Sequence, residues 1–108
     1  MNIKNMVLGL ISQNDLLNYY NISLNYEKLP QKINGFVFNY NNVNFIILNS
    51  NISYYKRRKT LIHELAHVEL NHLLQKNNDM FELSIDKYED EADIYVKKIM
   101  DIEIKNQN

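Results

Sequence analysis

The stretch His63-Glu64-Leu65-Ala66-His67 decides how this chain of 108 residues is interpreted. Two histidines four positions apart on a helix lie one turn from each other on the same side, so both can bind one metal ion. A glutamate between them can hold a metal-bound water. Together with a carboxylate from a second helix, the stretch predicts a zinc peptidase site.

The sequence around this motif predicts a helix that begins near Ser53 and ends at about Leu74. Apolar residues occupy most sides of it over residues 61–70, which indicates a buried helix. A pattern with three fixed positions also arises by chance, on the order of once in a few hundred chains of this length. The helical, apolar context is what favours a metal site over a chance match.

A third metal ligand is expected from the acidic stretch Glu89-Asp90-Glu91-Ala92-Asp93 in a predicted last helix that ends near Ile104. Glu89 and Asp93 are four residues apart and flank the same side of that helix. A glutamate ligand backed by an acid that can fix a histidine ring favours Glu89 as the ligand and Asp93 as its support. Glu91, about 200° around the axis from Glu89, is the alternative ligand. In the alternative without a metal, these acids form the first turn of the helix and are there only because negative charge interacts favourably with the helix dipole.

Glu64 is the predicted catalytic base. Zinc lowers the pKa of its bound water, and an adjacent carboxylate can take the proton during attack on a peptide carbonyl and pass it to the leaving amine. His72 lies five residues after His67, about 140° around the helix, so we expect it to be structural or exposed.

The rest of the chain predicts an α+β fold. Residues 2–20 have a helical apolar stripe, and residues 22–26 alternate as in a half-buried strand. Two stronger strand candidates, residues 35–40 and 43–49, are separated by Asn41-Asn42, which suits a tight hairpin. We therefore expect a small antiparallel sheet of about three strands between an N-terminal helix and the two site helices.

Composition limits the classes of function. The net charge of −1 gives no reason to expect nucleic-acid or membrane binding, and the basic run Lys56-Arg57-Arg58-Lys59 is interpreted as solvated helix surface. The absence of cysteine leaves histidine and carboxylate as metal ligands, with Zn²⁺ as the preferred ion. We expect one domain over residues 1–108, located in the cytoplasm.

The order of these features resembles the ImmA/IrrE family of metallopeptidases of bacteria, phages and mobile elements. The resemblance covers about residues 29–99 and rests on the hairpin that ends in Ile47-Leu48-Asn49, the stretch from Arg58 to His67, and the acidic stretch at residues 89–93. The family's usual Leu-Leu-Met-Pro ending is absent, and Lys97-Lys98-Ile99-Met100-Asp101 stands there instead.

The resemblance implies a zincin-like fold and zinc-dependent cleavage of a helix-turn-helix repressor of a mobile element. It implies that His63, His67 and Glu89 are the metal ligands and that Glu64 is the base. It also implies that Asp93 supports the ligands without binding the metal itself. Two alternatives remain: an antirepressor that inactivates its partner by binding alone, with the metal only stabilising the fold, and a protease toxin. Since substrates of such enzymes often bind as an added strand, we expect residues 43–48 to form the receiving edge.

Overall fold

The fold is α+β, as the sequence predicts, and the motif lies on a helix packed against a sheet. The computed structural model describes residues 2–70, 81–85, 97, 98 and 101. In chain order the elements are α1 (Ile3–Val7), α2 (Gln13–Tyr19), β1 (Ile22–Glu27), β2 (Ile33–Tyr40), β3 (Val43–Asn49), α3 (Tyr54–Glu69) and β4 (Phe81–Ile85). Of the predicted last helix only Lys97, Lys98 and Asp101 are described, all helical. The predicted loop at 75–79 lies outside the described residues.

The hairpin is confirmed. Strands β2 and β3 pair antiparallel, with Tyr40 opposite Val43 at the turn. Asn41 and Asn42 have φ angles of 51° and 65°, in the left-handed region that a two-residue hairpin turn needs. Asparagine adopts this conformation more easily than most residues, which is why the turn forms at this position.

The sheet differs from the expected three antiparallel strands: it is mixed, and it has four strands among the residues that the structure describes. The strand order is β1-β3-β2-β4, with β1 parallel to β3 and β4 antiparallel to β2. After β1 the chain leaves a gap of one strand before it forms β2. Strand β3 then fills this gap, so it lies between β1 and β2 and runs parallel to β1. Strand β4 was not predicted, although its sequence alternates apolar and polar residues with the period of a strand.

The predicted N-terminal helix is two helices, because Gly9 interrupts the helical backbone and Ser12 starts a second helix. Gly9 has a φ of 79°, outside the helical region. Ser12 then caps α2 in a capping box: its hydroxyl accepts from the Asp15 amide at 3.0 Å, and the Asp15 carboxylate accepts from the Ser12 amide at 3.2 Å. Helix α3 starts after the cap residue Ser53 as predicted, but it ends at Glu69 rather than near residue 74.

Helices α1, α2 and α3 form one hydrophobic core with a single face of the sheet: α3 contacts β2 and β3, α2 contacts β1, and α1 packs on α2 and α3. The sheet contributes Val37, Ile46 and Leu48, and the helices contribute, among others, Ile3, Leu16, Ile62, Leu65 and Ala66. No helix of the described residues is long and apolar enough to cross a membrane.

Gly35 fixes how closely α3 approaches β2. A Cβ atom at this position would lie 2.6 Å from the Ile47 carbonyl oxygen and 3.1 Å from Cγ2 of Thr60. Only glycine allows this approach without a shift of backbone. The contact also shows that the side of α3 carrying Thr60 faces β2.

Candidate metal centre

Helix α3 brings the two histidine side chains together. The Nε2 atoms of His63 and His67 are 3.1 Å apart, and the ring centroids are separated by 4.8 Å with an interplanar angle of 76°. This arrangement follows directly from the four-residue spacing on a helix. Both rings direct the same nitrogen to one point.

Glu64 lies behind the histidine pair, in the interior. Its Oε1 is 3.8 Å from Nε2 of His63, and its side chain is fully buried. His67 is also buried, whereas the His63 side chain is 14% exposed. One ligand atom from each of the three residues lies within 4.8 Å of the others. The three-residue cluster is therefore closed by the buried Glu64 carboxylate on one side and reaches solvent at His63.

The donor atoms fit a divalent transition metal. Zinc binds histidine nitrogen at about 2.0–2.1 Å, so two nitrogens in a tetrahedral site should be separated by about 3.3 Å. The observed separation of 3.1 Å is close to this value. Imidazole nitrogen with carboxylate oxygen suits zinc, and also manganese, iron or cobalt.

The end of α3 that carries His67 is attached to the N-terminal helices. The Glu69 carboxylate accepts a hydrogen bond of 2.8 Å from the Ile3 amide, at the first residue of α1. Burial raises the pKa of Tyr20, and the nearby charges of Glu69 and then Tyr19 raise it further. These contacts connect α1, α2 and α3 next to the histidine pair.

Two groups of predicted site residues have different outcomes. The structure brings His63, Glu64 and His67 together, as their spacing requires. Glu89, Glu91 and Asp93 lie outside the described residues, so the third ligand and its support remain predictions. His72 lies outside them too.

The expectation that residues 43–48 receive a substrate strand is wrong. Strand β3 pairs with β1 on one side and β2 on the other, so both of its hydrogen-bonding edges are occupied. Among the described strands, β1 and β4 are the two at the edges of the sheet.

An HExxH helix packed on a small sheet, with its histidine nitrogens converging, defines a metallopeptidase-type domain. The sequence matches the model of the IrrE N-terminal-like domain, a peptidase family, over residues 17–99. This match spans the whole sheet and α3, and the chain belongs to this family. Comparisons with curated proteins and with solved structures gave no match.

Proposed function

We propose that the protein is a zinc-dependent endopeptidase and that its substrate is a helix-turn-helix repressor of a phage or mobile element. The observation that carries the enzymatic part is the 3.1 Å approach of the His63 and His67 nitrogens beside the buried Glu64. Family membership supports it. The choice of a repressor rests on the resemblance to ImmA/IrrE peptidases alone, and such a substrate places the protein in the cytoplasm.

In this proposal His63 and His67 hold the ion, Glu89 is the third ligand with Glu91 as the alternative, and Asp93 supports the ligands from behind. Bound zinc supplies a Lewis acid that lowers the pKa of water and polarises a peptide carbonyl. Glu64 takes a proton from the attacking water and delivers it to the leaving amine. Because the Glu64 side chain is buried beside the histidines, its carboxylate stays in position for both transfers.

The substrate is expected to bind along the β4 edge of the sheet. Thr60 marks the β2 side of α3, and His63 and His67 follow it at helical spacings of three and seven residues, on the same side. Leu61, on the side of α3 away from the two histidines, lies near Tyr26 of β1. Among the described residues α3 contacts β4 but not β1, and β4 lies beyond β2 in the strand order, so β4 is the sheet edge on the histidine side of α3. An extended peptide added to β4 would therefore pass beside them.

Hydrogen exchange tests this substrate position. When the cleavage-deficient Glu64→Gln protein binds intact repressor, amides of residues 81–85 should exchange at least about 10-fold more slowly, because the added strand occupies the β4 edge. Residues 22–27 of β1, the other edge strand, are the internal control and should be unchanged. Protection of β1 with none at β4 would contradict the assignment.

Metal removal tests the proposed reaction. Chelator-treated protein should lose cleavage of the repressor encoded beside its gene, and one equivalent of Zn²⁺ should restore it, because the ion provides the Lewis acid. The product bands are followed by electrophoresis and mass spectrometry. The Glu64→Gln protein, loaded with zinc in the same way, controls for a contaminating protease. Equal cleavage by metal-free and zinc-loaded protein would reject the proposal, and so would a stoichiometric complex in which the unmodified, zinc-loaded protein leaves the repressor uncut.

A further inference from the structure

A cavity lies on the other side of α3 from the histidines. It has a volume of about 380 Å³ and opens between the start of α2, the ends of β1 and β3, and the first half of α3. We call it the arginine groove. Leu61 lines it, and His63 and His67 lie roughly 200° and 240° around the helix from Leu61. The residues lining the groove are Gln13, Tyr26, Leu48, Ser50, Tyr54, Arg57, Arg58 and Leu61.

The basic run of α3 is not the uniformly solvated surface that the sequence predicts. Lys56 and Lys59 are exposed, but Arg57 and Arg58 are half-buried and both line the groove. Nη1 of Arg57 donates to the carbonyl oxygen of Ile52 at 3.0 Å, and Nη1 of Arg58 donates to the side-chain oxygen of Gln13 at 3.3 Å. These bonds hold both guanidinium groups at the cavity before any ligand arrives.

The charge of the groove favours an anion. The first turn of α3 contains no acidic residue, and Lys56, Arg57 and Arg58 lie in it or directly after it, where the helix dipole disfavours positive charge. No acidic side chain is among the described residues that line the groove. Such a conflict between local charge and helix stability is typical of a binding site. A phosphate would interact favourably with both guanidinium groups and with the helix dipole.

The other walls of the groove suit a flat apolar group. Leu48 and Leu61 are almost fully buried and form its floor. Tyr26 and Tyr54 are 52% and 75% exposed and provide aromatic rings at its border. Rings of this kind can stack on a planar ligand. The volume is at the small end of the range for ligand pockets, which excludes a large cofactor.

We propose that the arginine groove binds a nucleoside monophosphate. Its phosphate contacts Arg57 and Arg58, and its base packs between the tyrosines over the leucine floor. This class of ligand combines a dianion with a planar ring at a size that the cavity accepts. The proposal does not depend on the peptidase activity.

Isothermal titration of the full chain with AMP, GMP, CMP and UMP tests the proposal. At least one of them should bind, and at least about 10-fold more tightly than its nucleoside or inorganic phosphate. Only the nucleotide has both a phosphate for the two arginines and a base for the tyrosines and leucines. Arg57→Gln and Arg58→Gln should each weaken binding roughly 10- to 100-fold, since each removes a charged hydrogen-bond donor. Tyr54→Leu, at the exposed border, should weaken it with little risk to folding.

Lys59→Gln is the matched control. It removes the same charge from the next position on α3, but its side chain is exposed and does not line the groove. Its affinity should stay within about 2-fold of the unmodified protein at physiological salt, because exposed charges are screened. Circular dichroism verifies that each variant is folded. Absence of binding by all four nucleotides overturns the proposal, and so does equal weakening by Lys59→Gln and the arginine variants.

Discussion

Replacing Glu64 with glutamine is expected to lower kcat for cleavage of the repressor at least about 1,000-fold, because a positioned general base contributes roughly 10²–10⁴ to the rate. Glutamine has nearly the same shape as glutamate, so the buried site keeps its packing. Its amide cannot accept a proton from water at neutral pH. Zinc content, measured by atomic emission, should stay near one equivalent because His63 and His67 are unchanged.

Glu69→Gln is a suitable comparison for this variant. Glu69 is on the same helix, and its Oε1 accepts a hydrogen bond from the Ile3 amide, which a glutamine carbonyl can also accept. Its activity should remain within a few-fold of the unmodified protein. If Glu64→Gln retains comparable activity while holding zinc, Glu64 is not the base. If it loses both zinc and activity, the carboxylate acts as a ligand or folding element and the proposed role is also wrong.

The site helix and the hairpin could be predicted because their signals are local. A four-residue spacing on a helix places His63 and His67 together whatever else the chain does. Asn41 and Asn42 supply the left-handed backbone of the turn, and the segments on either side are rich in β-branched and aromatic residues, which favour strands. In such segments the side-chain pattern and the backbone preference favour the same structure, so the sequence alone is sufficient to predict the helix and the hairpin.

The strand order and the burial of the two arginines could not be predicted. They depend on contacts between segments that are distant in the sequence, and the periodicity of one segment carries no information about its partner. Nothing within residues 22–27 specifies that β1 pairs parallel to β3 instead of antiparallel to β2. For the same reason β3 was expected at an edge but lies in the sheet interior. Arg57 and Arg58 could not be distinguished from Lys56 and Lys59 in the sequence, because their burial depends on contacts with α2 and with the segment after β3.

Asn49 connects the sheet to the crossing between β1 and β2, and its side chain is completely buried. Its Nδ2 donates to the carbonyl oxygens of Leu29, Pro30 and Ile33 at 3.2, 3.2 and 2.9 Å. Its Oδ1 accepts from the amides of Leu29 and Asn51 at 3.2 and 2.9 Å. One side chain thus satisfies five backbone groups where the chain passes over the end of β3.

The variant Asn49→Asp should therefore reduce the free energy of unfolding at pH 7 by about 4 kcal/mol, because it buries a charge whose oxygen faces three carbonyls in place of a donor. Burial raises the pKa of the new carboxyl group above its unfolded value, so the loss should shrink as pH falls and the group becomes a neutral donor. Urea denaturation at pH 7 and pH 4.5 measures both effects. Asn25→Asp makes the same replacement at an exposed position of β1 and should cost less than about 0.5 kcal/mol. A similar small loss for both variants would mean that the backbone crossing is stable without Asn49, and that another contact holds β3 between β1 and β2.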